Sequence, residues 1–190
     1  ALAAAGGGML ADMAVNAVFG SSHPVHAATG VKVLNDDDEL DFSLPGRFPL
    51  RWQRSYNSLT TREGLFGLGW ATTFDSYLTL EENNATWFDE TGRELSFELP
   101  PVDRAFYSIS EGIIIRRNES GDVAIADDDG AVWRLYKPTR ANPTLLRLAS
   151  LSDEYGNALL TEWDEHGRLV NLHDEPRAID VTLRYEDERF

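Results

Sequence analysis

A short turn pattern that ends in glycine restricts the fold of this chain more than any other feature of its sequence. The pattern occurs five times between residues 87 and 170, with an Asp or Asn three positions before each glycine. The glycines are Gly92, Gly121, Gly130, Gly156 and Gly167. Glycine adopts the positive φ that a tight hairpin turn needs, and the Asp or Asn side chain can bond to the turn backbone. Since each hairpin buries too little surface alone, the repetition predicts an array of hairpins that stack side by side.

Alternating apolar and polar residues upstream of this array predict further β-strands. Leu40, Phe42 and Leu44 share one face of a predicted strand, and the segment from Leu50 to Tyr56 shows the same alternation. The segment from Trp70 to Leu80 predicts one more continuous strand. No helical stripe over three turns follows the N-terminal segment, so the predicted class is all-β: a curved, mostly antiparallel sheet of hairpins.

The N-terminal segment differs in composition from the rest of the chain. Met9, Leu10, Met13 and Val18 follow helical spacing and predict a short helix over residues 9–19. A helix of this length is marginal in water on its own. We therefore expect it to pack against other parts of the protein, either as a linker or as a plug inside a cavity.

The composition break divides the chain into three predicted segments. Residues 1–23 are the linker or plug, residues 24–85 form an opening β segment, and residues 86–190 hold the hairpin repeats. The chain ends inside a strand-like pattern and does not start with Met, so we expect it to be part of a longer protein.

The charge balance and the composition argue against several classes of function. Acidic side chains outnumber basic ones by 32 to 17, and the net charge of −15 repels nucleic-acid phosphates. Cysteine is absent, which excludes disulfides and cysteine zinc sites. The most apolar stretch, Ala1 to Phe19, contains three glycines and Asp12 and has no basic start. Neither a membrane span nor a secretory signal is therefore predicted.

Three sets of residues are of types that can bind phosphate or metal ions. Each set is better explained as a structural turn or an exposed loop, so no catalytic, cofactor-binding or metal-binding residue is predicted. The run from Gly64 to Trp70 lacks the GxGxxG and Walker patterns of phosphate loops, which favours a turn. The histidines are His23, His26, His166 and His173. They show no metal-ligand spacing, and the last two are expected in exposed loops. The acidic run from Asp127 to Asp129 lacks EF-hand spacing, which favours a hydrated turn over a calcium site.

Several motifs upstream of the repeats keep the order and spacing of a known protein family. They are Pro24-Val25, Thr29-Gly30, Leu40 to Gly46, Pro49-Leu50, Arg54 to Ser58, Gly67 to Trp70 and Phe74-Asp75. Together they resemble the start of the core of bacterial Rhs proteins. The repeats at Asp89 and Asp164 resemble the YD repeats of Rhs, teneurin and TcC-type proteins, with Phe88 and Trp163 in place of tyrosine. The resemblance covers residues 24–190.

The resemblance implies both a fold and a function. Rhs proteins wind a spiral β-sheet into a hollow shell around a C-terminal toxin domain, and many are delivered by type VI secretion behind a PAAR-type tip that caps a VgrG spike. By this resemblance the chain is a shell segment of a polymorphic toxin, which helps to contain and deliver the toxin domain and is not itself an enzyme. Its partners would be the rest of its own shell, the enclosed toxin and the secretion spike. It would be cytoplasmic before delivery and then secreted through the contractile apparatus.

The residues on which such a shell depends are structural ones, in the turns and in the apolar interior. They are Trp70, Gly92, Gly156, Trp163 and Gly167. The resemblance implies no cofactor for this segment.

Two other functions stay open at this point. A cell-surface adhesin or carbohydrate-binding module would present Trp and Tyr on an exposed groove, whereas a shell would bury them in the sheet. A self-processing region would be cleaved where the composition changes, at or next to His23-Pro24. Unpaired strand edges also predict that an isolated piece of such a sheet self-associates.

Overall fold

The computed structural model describes Val33–Leu34 and residues 40–185, and this part of the chain is built almost entirely from β-strands. The strands are β1 (Val33–Leu34), β2 (Leu40–Leu44), β3 (Leu50–Asn57), β4 (Glu63–Gly64), β5 (Gly67–Leu68), β6 (Trp70–Thr72), β7 (Tyr77–Glu81), β8 (Asn84–Phe88), β9 (Glu94–Glu98), β10 (Ala105–Ser108), β11 (Ile113–Arg117), β12 (Val123–Asp127), β13 (Val132–Pro138), β14 (Leu145–Asp153), β15 (Ala158–Trp163), β16 (Leu169–Asp174) and β17 (Asp180–Thr182). A single 3-10 turn, Thr73–Asp75, is the one helical element among the described residues.

Strands β7 to β17 form one sheet of 11 strands that curls into a half-barrel. From β10 to β17 each strand pairs antiparallel with the next strand along the chain. Short turns therefore connect neighbours in the sheet, as a series of hairpins requires. The predicted all-β class and the curved, antiparallel sheet of hairpins are confirmed.

The main sheet forks at β14. One edge of this strand pairs with β13, while the opposite edge pairs first with β7 through Leu145 to Arg147 and then with β15 through Ser150 to Ser152. Strands β8 and β9 continue from β7, so two arms of the sheet diverge from one strand. The Leu148 carbonyl, which lies in the gap between the two arms, accepts a hydrogen bond from Trp163 Nε1 at 2.8 Å. A side chain thus replaces the missing ladder bond at the fork.

A smaller sheet packs with the main sheet and completes the core. It contains β1, β2, β3 and β6, and β4 and β5 form a two-stranded hairpin beside it. One cluster of buried apolar side chains includes Leu50 and Trp52 from the small sheet, Phe74 from the 3-10 turn, and Leu78 and Ile115 from the main sheet. Because one core is shared by both sheets, burial of its apolar surface holds them together.

The prediction of one continuous strand from Trp70 to Leu80 is wrong. The chain leaves the small sheet after Thr72, makes the 3-10 turn, and enters the main sheet at Tyr77. Thr72 caps this turn, since its hydroxyl accepts from the Phe74 N–H and its own N–H donates to the Asp75 carboxylate. These local bonds satisfy backbone groups that a continuous strand would have to place in a ladder.

Some predictions fall on parts of the chain that the structure does not describe. The helix over residues 9–19 and the site at His23-Pro24 lie outside the described residues. The division at residue 85 stays a prediction. The sheets themselves change between Thr72 and Tyr77.

Candidate functional site: repeat turns and a buried polar junction

The repeat turns share one hydrogen-bond arrangement, which the copy at Asp89 shows in full. Asp89 Oδ1 accepts from the backbone N–H groups of Thr91 and Arg93, at 2.8 and 2.9 Å, and Oδ2 accepts from Arg93 Nε at 2.8 Å. The Asp89 N–H donates to the Arg93 carbonyl, and the Gly92 N–H donates to the Asp89 carbonyl. We call this arrangement the closed turn. It satisfies the polar groups of the bend locally, without water or a distant partner.

Three further repeats form closed turns, in which the residue after the glycine contributes both its backbone and its side chain. The first residue, the glycine and the last residue are Asn118, Gly121 and Asp122; Asp153, Gly156 and Asn157; and Asp164, Gly167 and Arg168. The φ angles of the glycines in all four closed turns lie between 76° and 82°, where a side chain is strained. The fifth repeat is looser, because the Asp127 carboxylate contacts Arg134 instead of closing the turn at Gly130.

Two of the closed turns, those that begin at Asp153 and Asp164, favour the ionised form of their first residue. The Asn157 side chain donates to Asp153 and lowers the pKa of its carboxyl. The Arg168 backbone N–H, together with its guanidinium, lowers the pKa of Asp164. In both turns the carboxylate acts as the acceptor, so protonation weakens the bonds that close the turn.

The two tryptophans singled out in the sequence are half-buried in the structure. Trp163 bonds the Leu148 carbonyl at the fork, and the Arg147 guanidinium lies 4.9 Å from the centre of its ring. The Trp70 ring lies 5.1 Å from that of Tyr56 on the neighbouring strand. Trp163 thus helps to hold the two arms of the main sheet together, and Trp70 packs within the small sheet.

A group of buried side chains joins the 3-10 turn to the main sheet. We call it the polar junction, and its members are Asp75, Ser76, Trp87, Arg134 and Tyr136. Each is at most 7% exposed. Polar groups at this depth are costly unless they are hydrogen-bonded, so their partners decide whether the junction stabilises the fold.

The Asp75 carboxylate connects three parts of the chain. Its Oδ1 accepts from the Leu65 N–H at 2.8 Å, and its Oδ2 accepts from the Thr72 N–H and hydroxyl at 2.9 and 3.0 Å. The Arg62 guanidinium donates to the Asp75 backbone carbonyl. Burial raises the pKa of Asp75, and the hydrogen bonds and the nearby Arg62 offset this effect only in part.

Tyr136 is at the centre of a chain of hydrogen bonds across the core. Its hydroxyl accepts from Trp87 Nε1 at 2.8 Å and donates to Ser76 Oγ at 3.0 Å. Ser76 Oγ in turn donates to the Thr73 carbonyl at 2.9 Å. Burial raises the pKa of Tyr136, so the hydroxyl keeps the proton that it donates. The chain ties β8 and β13 to the 3-10 turn.

Arg134 connects two of the repeat turns through the interior. Its guanidinium contacts Glu90 Oε1 at 2.6 Å and Asp127 Oδ2 at 3.2 Å. Although burial lowers the pKa of Arg134, these two carboxylates raise it above its ordinary value. The Glu90 backbone carbonyl accepts from Ser55 Oγ at 2.8 Å, which brings the small sheet into the same network. Removal of either Arg134 or its carboxylate partners would leave an unpaired charge in this buried position, which would be strongly destabilising.

The polar junction was not predicted from the sequence. One signal was readable: Thr72 and Asp75 have the spacing of a capping box, which marks the start of a helical turn rather than a strand. Tyr136 and Arg134 had no such signal, because they look like ordinary residues of an amphipathic strand and their partners are far away in the sequence.

The other candidate residues are not brought together into a chemical site. His166 is exposed in the turn after β15, as predicted. The prediction of an exposed loop for His173 is wrong, since it is half-buried inside β16 with its Nδ1 2.9 Å from Asn171 Oδ1. The run from Gly64 to Trp70 forms the β4–β5 hairpin and the start of β6. Within the described residues, no three His, Asp or Glu side chains are grouped so that they could hold a metal ion.

An open groove of about 330 Å³ lies between the small sheet and the end of the main sheet. Its lining residues are Asp41, Phe42, Trp52, Arg54, Phe66, Val181 and Leu183. The Phe42 ring stacks on Trp52 at 5.8 Å, and the Phe66 ring meets Trp52 edge-on at 6.2 Å. Phe42 and Phe66 are 39% and 40% exposed, so this groove presents aromatic surface to solvent.

Comparison with known proteins shows that the sequence of this chain is similar to parts of toxin proteins. A family described as "Domain of unknown function (DUF6531)" matches residues 22–97. Over 94% of its length the chain is 27% identical to the double-stranded DNA deaminase toxin A of Burkholderia cenocepacia. It is 32% identical over 58% of its length to the toxin protein Tse5 of Pseudomonas aeruginosa, and 36% identical over 36% of its length to the tRNA3(Ser)-specific nuclease WapA of Bacillus spizizenii.

The relatives indicate the kind of protein with which this chain is associated, but they say little about its own activity. The chain is associated with polymorphic toxins. It spans 13%, 8% and 3% of the lengths of the three relatives, so most of each of those proteins lies outside the match.

No helix in the described part of the chain is long and apolar enough to cross a membrane.

Proposed function

We propose that this chain is a non-enzymatic wall segment of an Rhs/YD-repeat toxin, and that it helps to enclose the toxin domain of its own protein. The observation that carries the proposal is the main sheet, in which successive hairpins, four of them with closed turns, extend a single curved wall. Each further turn adds one strand to the sheet without ending it, so such a wall can be continued by further repeats.

The names of the relatives support a role that is shared among different toxins. One relative is named as a DNA deaminase, and another is named as a tRNA nuclease. A segment common to proteins with such different chemistry suits containment better than catalysis, because each activity would need its own catalytic residues.

The strand edges support the same proposal. The main sheet ends in strands that have one unpaired edge within the described part of the chain, namely β9, β10 and β17. Unpaired edges favour pairing with further strands, which the remainder of a shell would supply. Delivery on a PAAR- and VgrG-type spike by type VI secretion is the route that we propose for the whole protein, with a cytoplasmic stage before secretion.

Limited proteolysis of the full-length protein tests the enclosure. The toxin domain should resist protease in the intact protein and become sensitive in a variant with an opened wall, such as Gly167→Val combined with Gly156→Val. An exposed substitution, Tyr155→Phe, serves as the control and should leave the domain protected. A toxin domain that is digested equally fast in all three proteins would refute containment.

The exposed groove at Phe42 and Phe66 favours a second candidate function, carbohydrate binding by an adhesin-like module. Its aromatic rings could stack on a sugar, and the Asp41–Arg54 ion pair beside them could bond to hydroxyl groups. A glycan array with the 190-residue chain tests this function. Saturable binding to a sugar that is lost in Phe66→Ala would favour the adhesin, whereas the wall proposal expects no binding.

A further inference from the structure

Two cations lie directly opposite each other on the main sheet. Lys137 on β13 pairs in register with Arg147 on β14, so their side chains project from the same face of the sheet. That face points away from the core, because Leu146 and Leu148, the neighbours of Arg147 along β14, are fully buried on the other side. Like charges in directly opposite positions destabilise a sheet. We call Lys137 and Arg147 the cation pair.

The cation pair has no counter-charge in the described part of the chain. Neither side chain forms an ion pair or a hydrogen bond with another described residue, and Arg147 Nε is buried without an acceptor. Arg134, which lies on the core side of the same sheet, contacts Glu90 and Asp127 instead. Two unbalanced cations side by side are unexpected in a protein whose net charge is −15.

The carboxylates of the surrounding elements are occupied or lie too far away. Both oxygens of Asp75, whose charge acts on Arg147, already accept hydrogen bonds in the polar junction. Asp164 accepts from groups of its own turn, and Asp122 accepts from a side chain of its own turn. Glu94 is three strands away along the same row of paired residues. None of these groups therefore neutralises the cation pair.

Two aromatic rings hold the Arg147 guanidinium at the fork of the sheet. Its centre lies 4.9 Å from the Trp163 ring on the β15 arm and 5.7 Å from the Tyr77 ring on the β7 arm. The Arg62 guanidinium, 4.9 Å from the same Tyr77 ring, adds a third positive charge. Burial lowers the pKa of Arg147, and Arg62 lowers it further, while Asp75 and Tyr77 offset this only in part. The guanidinium is thus fixed in position without an anion to balance it.

We propose that the cation pair is a binding site for a carboxylate group. A guanidinium that lies over an aromatic ring keeps the N–H groups of its edge for an acceptor in its own plane, and a carboxylate fits that edge with both oxygens. The Lys137 ammonium, on the neighbouring strand, contacts the same group. Gly167 keeps the approach open, because a Cβ there would lie 3.4 Å from Arg147 Nη2. This inference does not depend on the wall proposal.

The charge of the protein favours a carboxylate over a phosphate as the ligand. A phosphate carries up to two negative charges at neutral pH, and the net charge of −15 repels it more strongly than it repels a single charge. A carboxylate can come from a free organic acid or from an acidic side chain of a polypeptide. Both sources present the same group to the cation pair, and separate probes distinguish them.

NMR titration of the ¹⁵N-labelled chain at pH 7 tests the site. Sodium acetate replaces sodium chloride at constant ionic strength, and acetyl-Ala-Glu-Ala-amide represents an acidic side chain, with acetyl-Ala-Gln-Ala-amide as its uncharged control. We expect saturable shifts of the Lys137 and Arg147 amides and of the Trp163 indole N–H with acetate and with the Glu peptide. The tighter of the two identifies the source. The Gln peptide should cause no saturable shift, and inorganic phosphate should bind more weakly than acetate.

Matched variants separate the cation pair from other arginines. Arg147→Met should weaken acetate binding about tenfold or more, since it removes the charged donors. Arg147→Lys keeps the charge but loses the planar fork, so its effect should be smaller. Arg116→Met removes an exposed guanidinium that also lies over a tryptophan, Trp133, but faces Ala105 and Ala124 instead of a cation, and it should leave binding unchanged.

Lys137→Glu tests the same contact at an exposed position, even if Arg147→Met fails to fold. The new carboxylate lies opposite Arg147 and should occupy it, so the acetate response should disappear and the urea midpoint should rise. The proposal is overturned if acetate causes no saturable shift in the natural chain. It is also overturned if Arg147→Met and Arg116→Met bind acetate equally well, if phosphate binds as tightly as acetate, or if Lys137→Glu keeps the full acetate response.

Discussion

The closed turns and the polar junction both depend on hydrogen-bonded aspartates, but they reach over different distances in the sequence. In the turn at Asp164, both carboxylate oxygens bind groups within four residues. In the junction, Trp87 and Ser76 bind Tyr136 across 49 and 60 residues. The turns therefore determine where the chain reverses, and the junction determines which parts of the sheet come together.

The two regions also differ in exposure, which sets how much each contact contributes to stability. Apart from Asp89, which is 2% exposed, the residues of the closed turns are exposed or half-buried, so a hydrogen bond lost there is largely replaced by one to solvent. The junction residues are at most 7% exposed, so a lost partner leaves a buried group without any bond. We expect substitutions in the junction to cost more free energy than substitutions in the turns.

Asp75 should be the most sensitive position in this comparison. Replacing Asp75 with Ala leaves the Leu65 N–H, the Thr72 N–H and the Thr72 hydroxyl without their acceptor. At about 1 to 3 kcal/mol for each unsatisfied buried group, and allowing for partial relaxation, the free energy of unfolding should fall by about 4 kcal/mol. Urea denaturation followed by tryptophan fluorescence measures this loss.

Two further variants distinguish the loss of the Asp75 hydrogen bonds from a general failure to fold. Asp75→Asn keeps the shape of the side chain but retains one acceptor oxygen, so it should cost about half as much as Asp75→Ala. Asp128→Ala removes an exposed aspartate and should change stability by less than about 0.5 kcal/mol. Equal stability of Asp75→Ala and Asp128→Ala would show that the junction is not a stabilising network.

Tyr136→Phe should have the second-largest effect. The variant removes one hydroxyl and leaves Trp87 Nε1 without an acceptor in the core. We expect a loss of about 2 kcal/mol, within the usual range for an unsatisfied buried donor. The matched control is Tyr155→Phe, which removes the same hydroxyl from a residue that is 81% exposed and should be neutral. If both variants unfold at the same urea concentration, the hydrogen-bond chain contributes nothing.

Gly167→Val tests the turns and should cost about 1 to 2 kcal/mol, because valine is strained at the observed φ of 76°. A side chain at this position would also approach Arg147 Nη2 at 3.4 Å. Gly167→Asn is the control, since asparagine tolerates positive φ better than valine does, and its cost should be clearly smaller. Thermal unfolding by circular dichroism compares the two. A neutral Gly167→Val would contradict the assignment of this residue to a strained turn.

The sequence was sufficient to predict the turns because each turn is closed by its own residues. The spacing from Asp164 to Gly167 and Arg168 contains all the groups that form the bonds. The all-β class and the curved sheet of hairpins were predicted for the same reason, because they follow from the local spacing of the repeats. The prediction of a continuous strand from Trp70 to Leu80 was wrong for a local reason too. It followed the alternation of apolar and polar residues and did not take account of the capping box at Thr72 and Asp75.

The junction and the fork could not be predicted in this way. Nothing in the neighbourhood of Tyr136 indicates that Trp87 and Ser76 will meet its hydroxyl, because that contact depends on how the sheet curls. Likewise, the sequence of β14 looks like that of an ordinary strand. One edge of it pairs with β7, which begins about 70 residues earlier in the chain, and with β15, which begins a few residues after it. Long-range pairing is fixed by the packing of the whole core rather than by a local pattern.

The effect of pH should separate the two kinds of aspartate by its sign. Burial raises the pKa of Asp75 above the reference value of 3.8, so its contribution to stability is greatest at low pH and falls as the pH rises through the folded-state pKa. Hydrogen bonding lowers the pKa of Asp164, so its contribution is complete above 3.8 and is lost as the pH falls through a still lower value. Carboxyl NMR titration should find Asp75 above 3.8 and Asp164 below it.

The turn at Asn118 offers an internal control for the smallest of these effects. Its first residue is an amide that does not titrate, whereas the turn at Asp164 begins with a carboxylate. In strong acid, the Gly167 amide should therefore lose protection from hydrogen exchange before the Gly121 amide does, since the Asp164 carboxylate accepts from two backbone N–H groups of its turn, whereas the Asp122 carboxylate accepts only from the Asn118 side chain. If the two amides lose protection together, the charge of the carboxylate is not what keeps the repeat turn closed, and the backbone bonds and the glycine alone must account for it.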